Sequence, residues 1–182
     1  MDDIEWLATR RGRLALRGSA VDGLPGSAGV VVEPTRVAAA ARLGVPVIAV
    51  VGLPDGRHHS VIKAAEARLA VEMGADEIWL AIDADAAGEN AVLADAIAVR
   101  QAVEAPARLG LIHAGRPEVV RAGELLGADV LVCEAGHELP RTSLELALWG
   151  LGEGIDAAVD ALAAGASRVF SGTGLIPPAR RG

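Results

Sequence analysis

The chain has 182 residues, 52% hydrophobic but only 2% aromatic, and a formal net charge of −7. That length favours one domain able to bury a core, and an acidic chain without a basic stripe argues against nucleic-acid binding. The apolar residues fall in short runs, none near the roughly 18–20 that a bilayer span needs, so no membrane association is expected.

The N-terminus, M-D-D-I-E-W, lacks a signal peptide's basic start and apolar middle. The single cysteine, Cys133, excludes an internal disulfide framework. Together these features read as a cytoplasmic protein. Sixteen arginines stand against one lysine, Lys63, a bias that GC-rich coding explains most simply.

In chain order, residues 1–12 read as a short N-terminal helix. Arg13 to Arg17 alternates like a strand, and residues 18–27, rich in Gly, read as loop. Gly29 to Val32 is a short apolar strand. Thr35 is placed to cap an Ala-rich helix that Gly44 ends after Leu43. Val45 to Val51 is an unbroken apolar run of the kind buried on both faces. After the Gly52–Gly56 loop, Ser60 is placed to cap a helix over 61–73. Glu77 to Ile82 is the next strand, followed by Asp83 and Asp85.

A helix over 90–103 leads to a strand at Arg108–Ile112. Pro117 opens a helix to Leu126, and Asp129 to Cys133 is a strand. Residues 138–143 leave little room for a helix before an alternating strand at Leu144–Trp149. A helix over 155–164 precedes the last strand, Arg168–Phe170, and a tail at 175–182, whose I-P-P-A-R-R-G stretch reads as frayed. Alternating strands and helices imply parallel strands with right-handed crossovers.

Eight strands fit a single-domain α/β fold over 1–182, a short (β/α)8 TIM barrel with one or two helices missing. Such a barrel would gather Glu33, Asp55, Asp83, Asp85, His113, Glu134, His137, Glu153, Ser171 and Thr173 on one rim. An open doubly wound sheet is the alternative.

Several segments resemble the deoxyribose-phosphate aldolase family. They are V-V-G-L-P-D-G, the helix K-A-A-E-A-R-L-A-V-E, G-A-D-E-I, V-V-V-E-P-T-R-V, G-L-I-H-A-G, L-L-G-A-D-V-L-V and A-G-A-S-R-V-F-S-G-T-G. The resemblance runs over about residues 28–174 with a gap after His137. It implies a class I aldolase-like barrel, in which a buried lysine on the sixth strand forms a Schiff base with the substrate carbonyl. On this alignment the lysine position is Val132. A second lysine, on the seventh strand, falls near Ala147, and the family's acid after G-A-D-E-I is Trp79.

Lys63, on a helix outside the barrel, reads as a solvated helix-face residue rather than a substitute nucleophile, which would need burial or a neighbouring cation to be neutral. Trp79 and Trp149 are expected to point inward and fill the former cavity. The leading expectation is therefore an aldolase-like barrel without aldolase activity, a pseudoenzyme that binds a ligand or a partner.

The alternative is a lyase of changed chemistry on a small phosphorylated sugar. Its candidate catalytic residues are Asp83, Asp85, His113 and Glu134, with metal assistance an option. No metal site is assigned, because the histidines show no tight ligand spacing, and no cofactor is implied. Gly150, Gly172, Thr173 and Gly174 lie in register with the family's phosphate loops, so a small phosphorylated ligand is a partner to consider. Cys133 reads as buried and inert. A homodimer is expected, on the argument that missing helices leave apolar strand surface for a second copy to cover.

Overall fold

The computed structural model describes residues 2–22, 26–172 and Leu175. Eight strands close into a barrel in chain order: β1 (Arg11–Leu14), β2 (Gly29–Val32), β3 (Val47–Val51), β4 (Glu77–Leu80), β5 (Arg108–Ile112), β6 (Val130–Glu134), β7 (Glu145–Leu151) and β8 (Arg168–Ser171). Every neighbouring pair is parallel, and β8 pairs back to β1 through Gly12 and Phe170. This is the TIM-barrel arrangement rather than an open sheet. β2 and β3 are buried along their whole length, as their unbroken β-branched runs require of strands covered on both faces.

Helix α1 (Asp3–Arg10) precedes the barrel, and Asp2 and Glu5 form a reciprocal capping box at its start. Between β2 and β3 stands only a short α2 (Val37–Ala40), flanked by single 3-10 turns at 34–36 and 41–43. The longer crossovers are α3 (Ser60–Glu72), α4 (Glu89–Ala102), α5 (Pro117–Leu126) and α6 (Ile155–Ala163). Among the described residues no helix joins β1 to β2 or β6 to β7. These are the two economies that the short loops at 18–27 and 138–143 foretell. No helix among the described residues is long and apolar enough to cross a membrane.

Several boundaries differ from the sequence expectation. β1 begins at Arg11, because α1 ends at Arg10 and the chain turns directly into the sheet. The single helix expected over 35–43 is broken into three pieces. Thr35 lies inside the first of these and caps nothing. Ser60 is already helical; His59 is the N-cap, and no side chain caps that end.

Two apolar cores result. The larger one lies between the strands and the helices, and the other fills the barrel interior with Leu14, Val31, Ile48, Trp79, Val132, Ala147, Trp149 and Phe170 among its members. Leu175, which precedes the I-P-P-A-R-R-G stretch expected to fray, is fully buried in that interior; residues 176–182 lie outside the described residues. Of the strands that flank the missing crossovers, β2 is wholly buried and β6 is buried up to Glu134, while β1 and β7 keep half-buried positions, Leu146 and Leu151 among them. The large exposed aliphatics sit on helices and turns.

Candidate functional site

The barrel interior is polar at its floor and apolar above it. The first residues of four strands, Glu77, Arg108, Glu145 and Arg168, meet at the N-terminal end of the barrel. Arg168 Nη2 donates to both Glu77 carboxylate oxygens at 2.9 Å, and its Nε donates to Glu145 at 2.5 Å. Arg108 Nη2 donates to the other Glu145 oxygen at 2.5 Å. The indole N–H of Trp79 closes the set, donating to Glu77 at 2.6 Å.

Burial pushes the Glu145 carboxyl up, but Arg168 and Arg108 outweigh it and hold the group below its ordinary value. For Arg168 burial works against the charge, and the two carboxylates outweigh that in turn. Fully paired buried charges are the form in which such a cluster survives. Sequence reasoning missed this network. Its only trace is one charged residue at the head of each of four apolar strands.

Above the floor, Trp79 packs edge-to-face on Phe170 with ring centroids 5.0 Å apart. Trp79, Val132 and Ala147 have no exposed surface, and Trp149 is 4% exposed. The inward tryptophans expected from strand alternation are therefore present. The indole N–H of Trp149 is buried without a hydrogen-bond partner among the described residues.

Lys63 is where the structure departs furthest from the sequence reading. It is not solvated: its exposure is zero. Its Nζ donates to Asp95 at 2.6 Å, to the Gly56 carbonyl at 2.9 Å and to the Ala81 carbonyl at 3.3 Å. Asp95 also accepts from the Asp83 backbone N–H at 2.8 Å. The lysine thus pins the loop after β3 to the end of β4, from outside the barrel. Gly52 has φ +83°, and a Cβ there would stand 2.9 Å from Lys63 Cδ. The loop therefore needs glycine both for its left-handed turn and for the passing lysine stem.

At the opposite end of the strands, a cavity of about 450 Å³ opens beside β5 and β6. It is lined by His113, Ala114, Gly115, Cys133, Glu134, His137 and Glu138. It lies between the β5–α5 turn and the helix-free link from β6 to β7. The fold thus brings two of the expected catalytic residues, His113 and Glu134, to one cavity. Asp83 and Asp85 are not in its lining. Asp85 is exposed and salt-bridged to Arg57, which also binds Asp55. Arg57 holds both carboxyls below the usual carboxylate range, chiefly by side-chain hydrogen bonds. Asp83 spends one carboxylate oxygen on the Asp85 backbone N–H at 2.9 Å.

Burial lowers the His113 pKa, with Glu118 opposing, so the cavity favours a neutral imidazole. Burial, rather than the neighbouring Glu134, pushes the Cys133 thiol up to about 11, which leaves it an inert side chain at neutral pH. Among the described residues no three His, Cys, Asp or Glu groups are placed to hold a metal ion. His58 and His59 are exposed.

Of the expected phosphate loop, Gly150 and Gly172 carry left-handed φ angles of 85° and 108°. A Cβ on Gly172 would press on Leu14 at 3.0 Å. Thr173 and Gly174 lie outside the described residues.

No protein-family model matches the chain. Among curated proteins, it is 44% identical over 103 residues to a deoxyribose-phosphate aldolase of Nocardia farcinica, covering 51% of this chain and 46% of the relative. It is 43% identical over 122 residues to a deoxyribose-phosphate aldolase of Mycolicibacterium paratuberculosis, covering 59% and 55%. The chain thus spans about half the length of the curated relatives it matches. Among solved structures, "QR15, an Aldolase" superposes with a TM-score of 0.75 at 19% identity, over 94% of this chain and 92% of that one. A deoxyribose phosphate aldolase from Aeropyrum pernix, titled a unique tetrameric structure, gives 0.75 at 22% identity over 91% and 86%. At these identities the superpositions speak for the fold. The sequence matches and the fold together support a relationship to the deoxyribose-phosphate aldolases.

Proposed function

We propose that the chain is a divergent member of the deoxyribose-phosphate aldolase family that does not perform imine-based aldol chemistry and acts by binding a small ligand or a partner. The observation that carries this reading is the place of Lys63, the one lysine in the sequence. Schiff-base catalysis needs a neutral amine that reaches a substrate carbonyl. Lys63 is enclosed outside the barrel by a carboxylate and two carbonyls, a set that holds an ammonium.

The positions that the family resemblance assigns to the catalytic lysines, Val132 and Ala147, stand in a packed apolar interior, and Trp79 occupies the place of the acid. Backbone N–H groups around Gly150 and Gly172, together with Thr173 and Gly174, are the proposed contacts for a phosphorylated group. Incubation with 2-deoxyribose 5-phosphate and borohydride tests the reading. The expected result is an unchanged protein mass, and a reduced adduct on Lys63 would overturn it.

A second reading rests on the cavity shared by His113 and Glu134. A neutral imidazole and a carboxylate that face one cavity can serve a substrate between them as general base and acid, and two carboxylates with no lysine or arginine in the lining disfavour a phosphate dianion there. On this reading the substrate's phosphate lies outside the cavity, or the substrate has none. His113 should titrate below the ordinary histidine value of about 6.5, as an NMR titration would read.

The sign follows from the lowered pKa. The folded state favours neutral His113, so its contribution to stability is full above about pH 6.5. It is lost as pH falls through the folded value. Turnover of a small sugar that drops in both His113→Asn and Glu134→Gln, with fold retained, supports this reading. Equal turnover in the variants removes it.

A further inference from the structure

The two walls of the cavity beside β5 and β6 are tied down on either side. His113 is held by its main chain: its N–H donates to the Val132 carbonyl at 2.9 Å, and its carbonyl accepts from the Arg116 N–H at 3.0 Å. The facing wall is the helix-free link, which carries His137 and Glu138. Its near end is fixed where the Ala135 N–H donates to the Trp149 carbonyl at 2.8 Å. Its far end is fixed to α5, where one Glu124 oxygen accepts from the Thr142 hydroxyl at 2.7 Å and from the Ser143 N–H at 3.0 Å.

These walls present unbalanced negative charge. Glu134 and Glu138 line the cavity, and among the described residues neither side chain makes a hydrogen bond or an ion pair. Other carboxylates near the strand ends are neutralised within the protein: Asp55 and Asp85 by Arg57, Glu33 by Arg36, and Asp95 by Lys63. Arg116, close to His113 in the chain, is turned to Glu118 and to the carbonyls of Asp83 and Ala86. Arg141 is on the link but not in the lining. The Cys133 thiol, 3% exposed, also lines the cavity without a partner among the described residues. A cleft lined by charge of one sign between low-dielectric walls concentrates ligands of the opposite sign.

We propose that this cavity binds a small molecule carrying one protonated amine and neighbouring hydroxyl groups, of the amino-sugar or amino-polyol class. Glu134 and Glu138 take the ammonium through charge-assisted hydrogen bonds. A neutral His113 imidazole has one N–H donor and one acceptor nitrogen, which suits a hydroxyl group. The volume of about 450 Å³ lies within the usual range for small-molecule pockets and exceeds what a bare ion needs. The proposal rests on the cavity of the second reading, though not on its acid–base step, and it gives that reading a substrate class with an amine in place of a phosphate.

Calorimetric titration of the purified chain with glucosamine, glucose and N-acetylglucosamine at pH 7 and low salt tests it. Glucosamine should bind about tenfold tighter than either neutral sugar, the scale of one charge-assisted hydrogen bond. Glu134→Gln and Glu138→Gln should each lower glucosamine affinity several-fold, and the double variant should lose the preference, with circular dichroism unchanged. Glu104→Gln, at an exposed carboxylate in the turn before β5 and at the opposite end of the barrel, should change nothing. Equal affinity for glucosamine and glucose, no glucosamine binding, a preference that survives the double variant, or one that Glu104→Gln also removes would overturn the proposal. Because the readout is binding, the two ideas separate. Amine-selective binding without turnover keeps the proposal and removes the acid–base reading, whereas turnover of a neutral sugar with no amine preference does the reverse.

Discussion

Glu77→Ala should lower the unfolding free energy by about 3–5 kcal/mol, the range for removing one partner from a buried ionic cluster. Against a typical total of about 5–15 kcal/mol, that is a large share, and it should appear as a lower urea midpoint. Glu77 is 3% exposed; it accepts from the guanidinium of Arg168 and the indole of Trp79, and it pairs with Arg108 at 3.5 Å. Its loss leaves Arg168 with one carboxylate and the Trp79 N–H with none. Glu77→Gln, which keeps an oxygen for Trp79, should cost less than Glu77→Ala.

The cluster also predicts a pH response. Glu145 is held below its ordinary value in the folded state, so its stabilisation is complete above the unfolded carboxylate pKa of about 4.3. It is lost as pH falls through the lower folded value. In Glu77→Ala the acid transition should move to higher pH. A variant within 1 kcal/mol of wild type would show that the floor of the barrel does not depend on this network.

The barrel was legible in the sequence because its signals are local. The strand-forming runs at 29–32, 45–51 and 108–112, the glycines that end helices, and Pro117 at a helix start each act within a few residues. What was not legible depends on chain segments that are distant in sequence. Lys63 meets Asp95 across 32 residues, through the packing of α3 on α4. A lone lysine on an Ala-rich helix otherwise reads as solvated. Arg168 and Glu77 are 91 residues apart.

The candidate site divides the same way. Position at a strand end, which sets the rim, was readable for His113, Glu134, Asp83 and Asp85 alike. Which of them share a cavity depends on β5 lying beside β6 and on the link after β6 having no helix. Arg57 then claims Asp85 by a contact across 28 residues. The buried face of α3, Lys63 with Ala67 and Ala70, was hidden for another reason. Alanine and lysine facing inward with leucine and isoleucine facing outward inverts the periodicity rule by which an apolar face is assigned to the core.

Lys63→Met tests the least expected contact in the molecule. Methionine keeps the length of the stem and removes the ammonium. The Asp95 carboxylate, whose side chain is 10% exposed, then keeps only the Asp83 backbone N–H among the described residues, and the Gly56 and Ala81 carbonyls lose their lysine donor. Breaking a buried pair in this way costs about 3–5 kcal/mol. The loss should be local as well as global: hydrogen exchange should quicken at Gly56, whose N–H bonds Gly52 across the loop, and at Asp83.

The double variant Lys63→Met with Asp95→Asn should recover part of the loss, because it removes the uncompensated charge. It should not recover all of it, since the two carbonyls still lack their lysine donor. If Lys63→Met were as stable as wild type, the lysine would not be the pin of this rim. Its enclosure would then no longer argue against a role in chemistry.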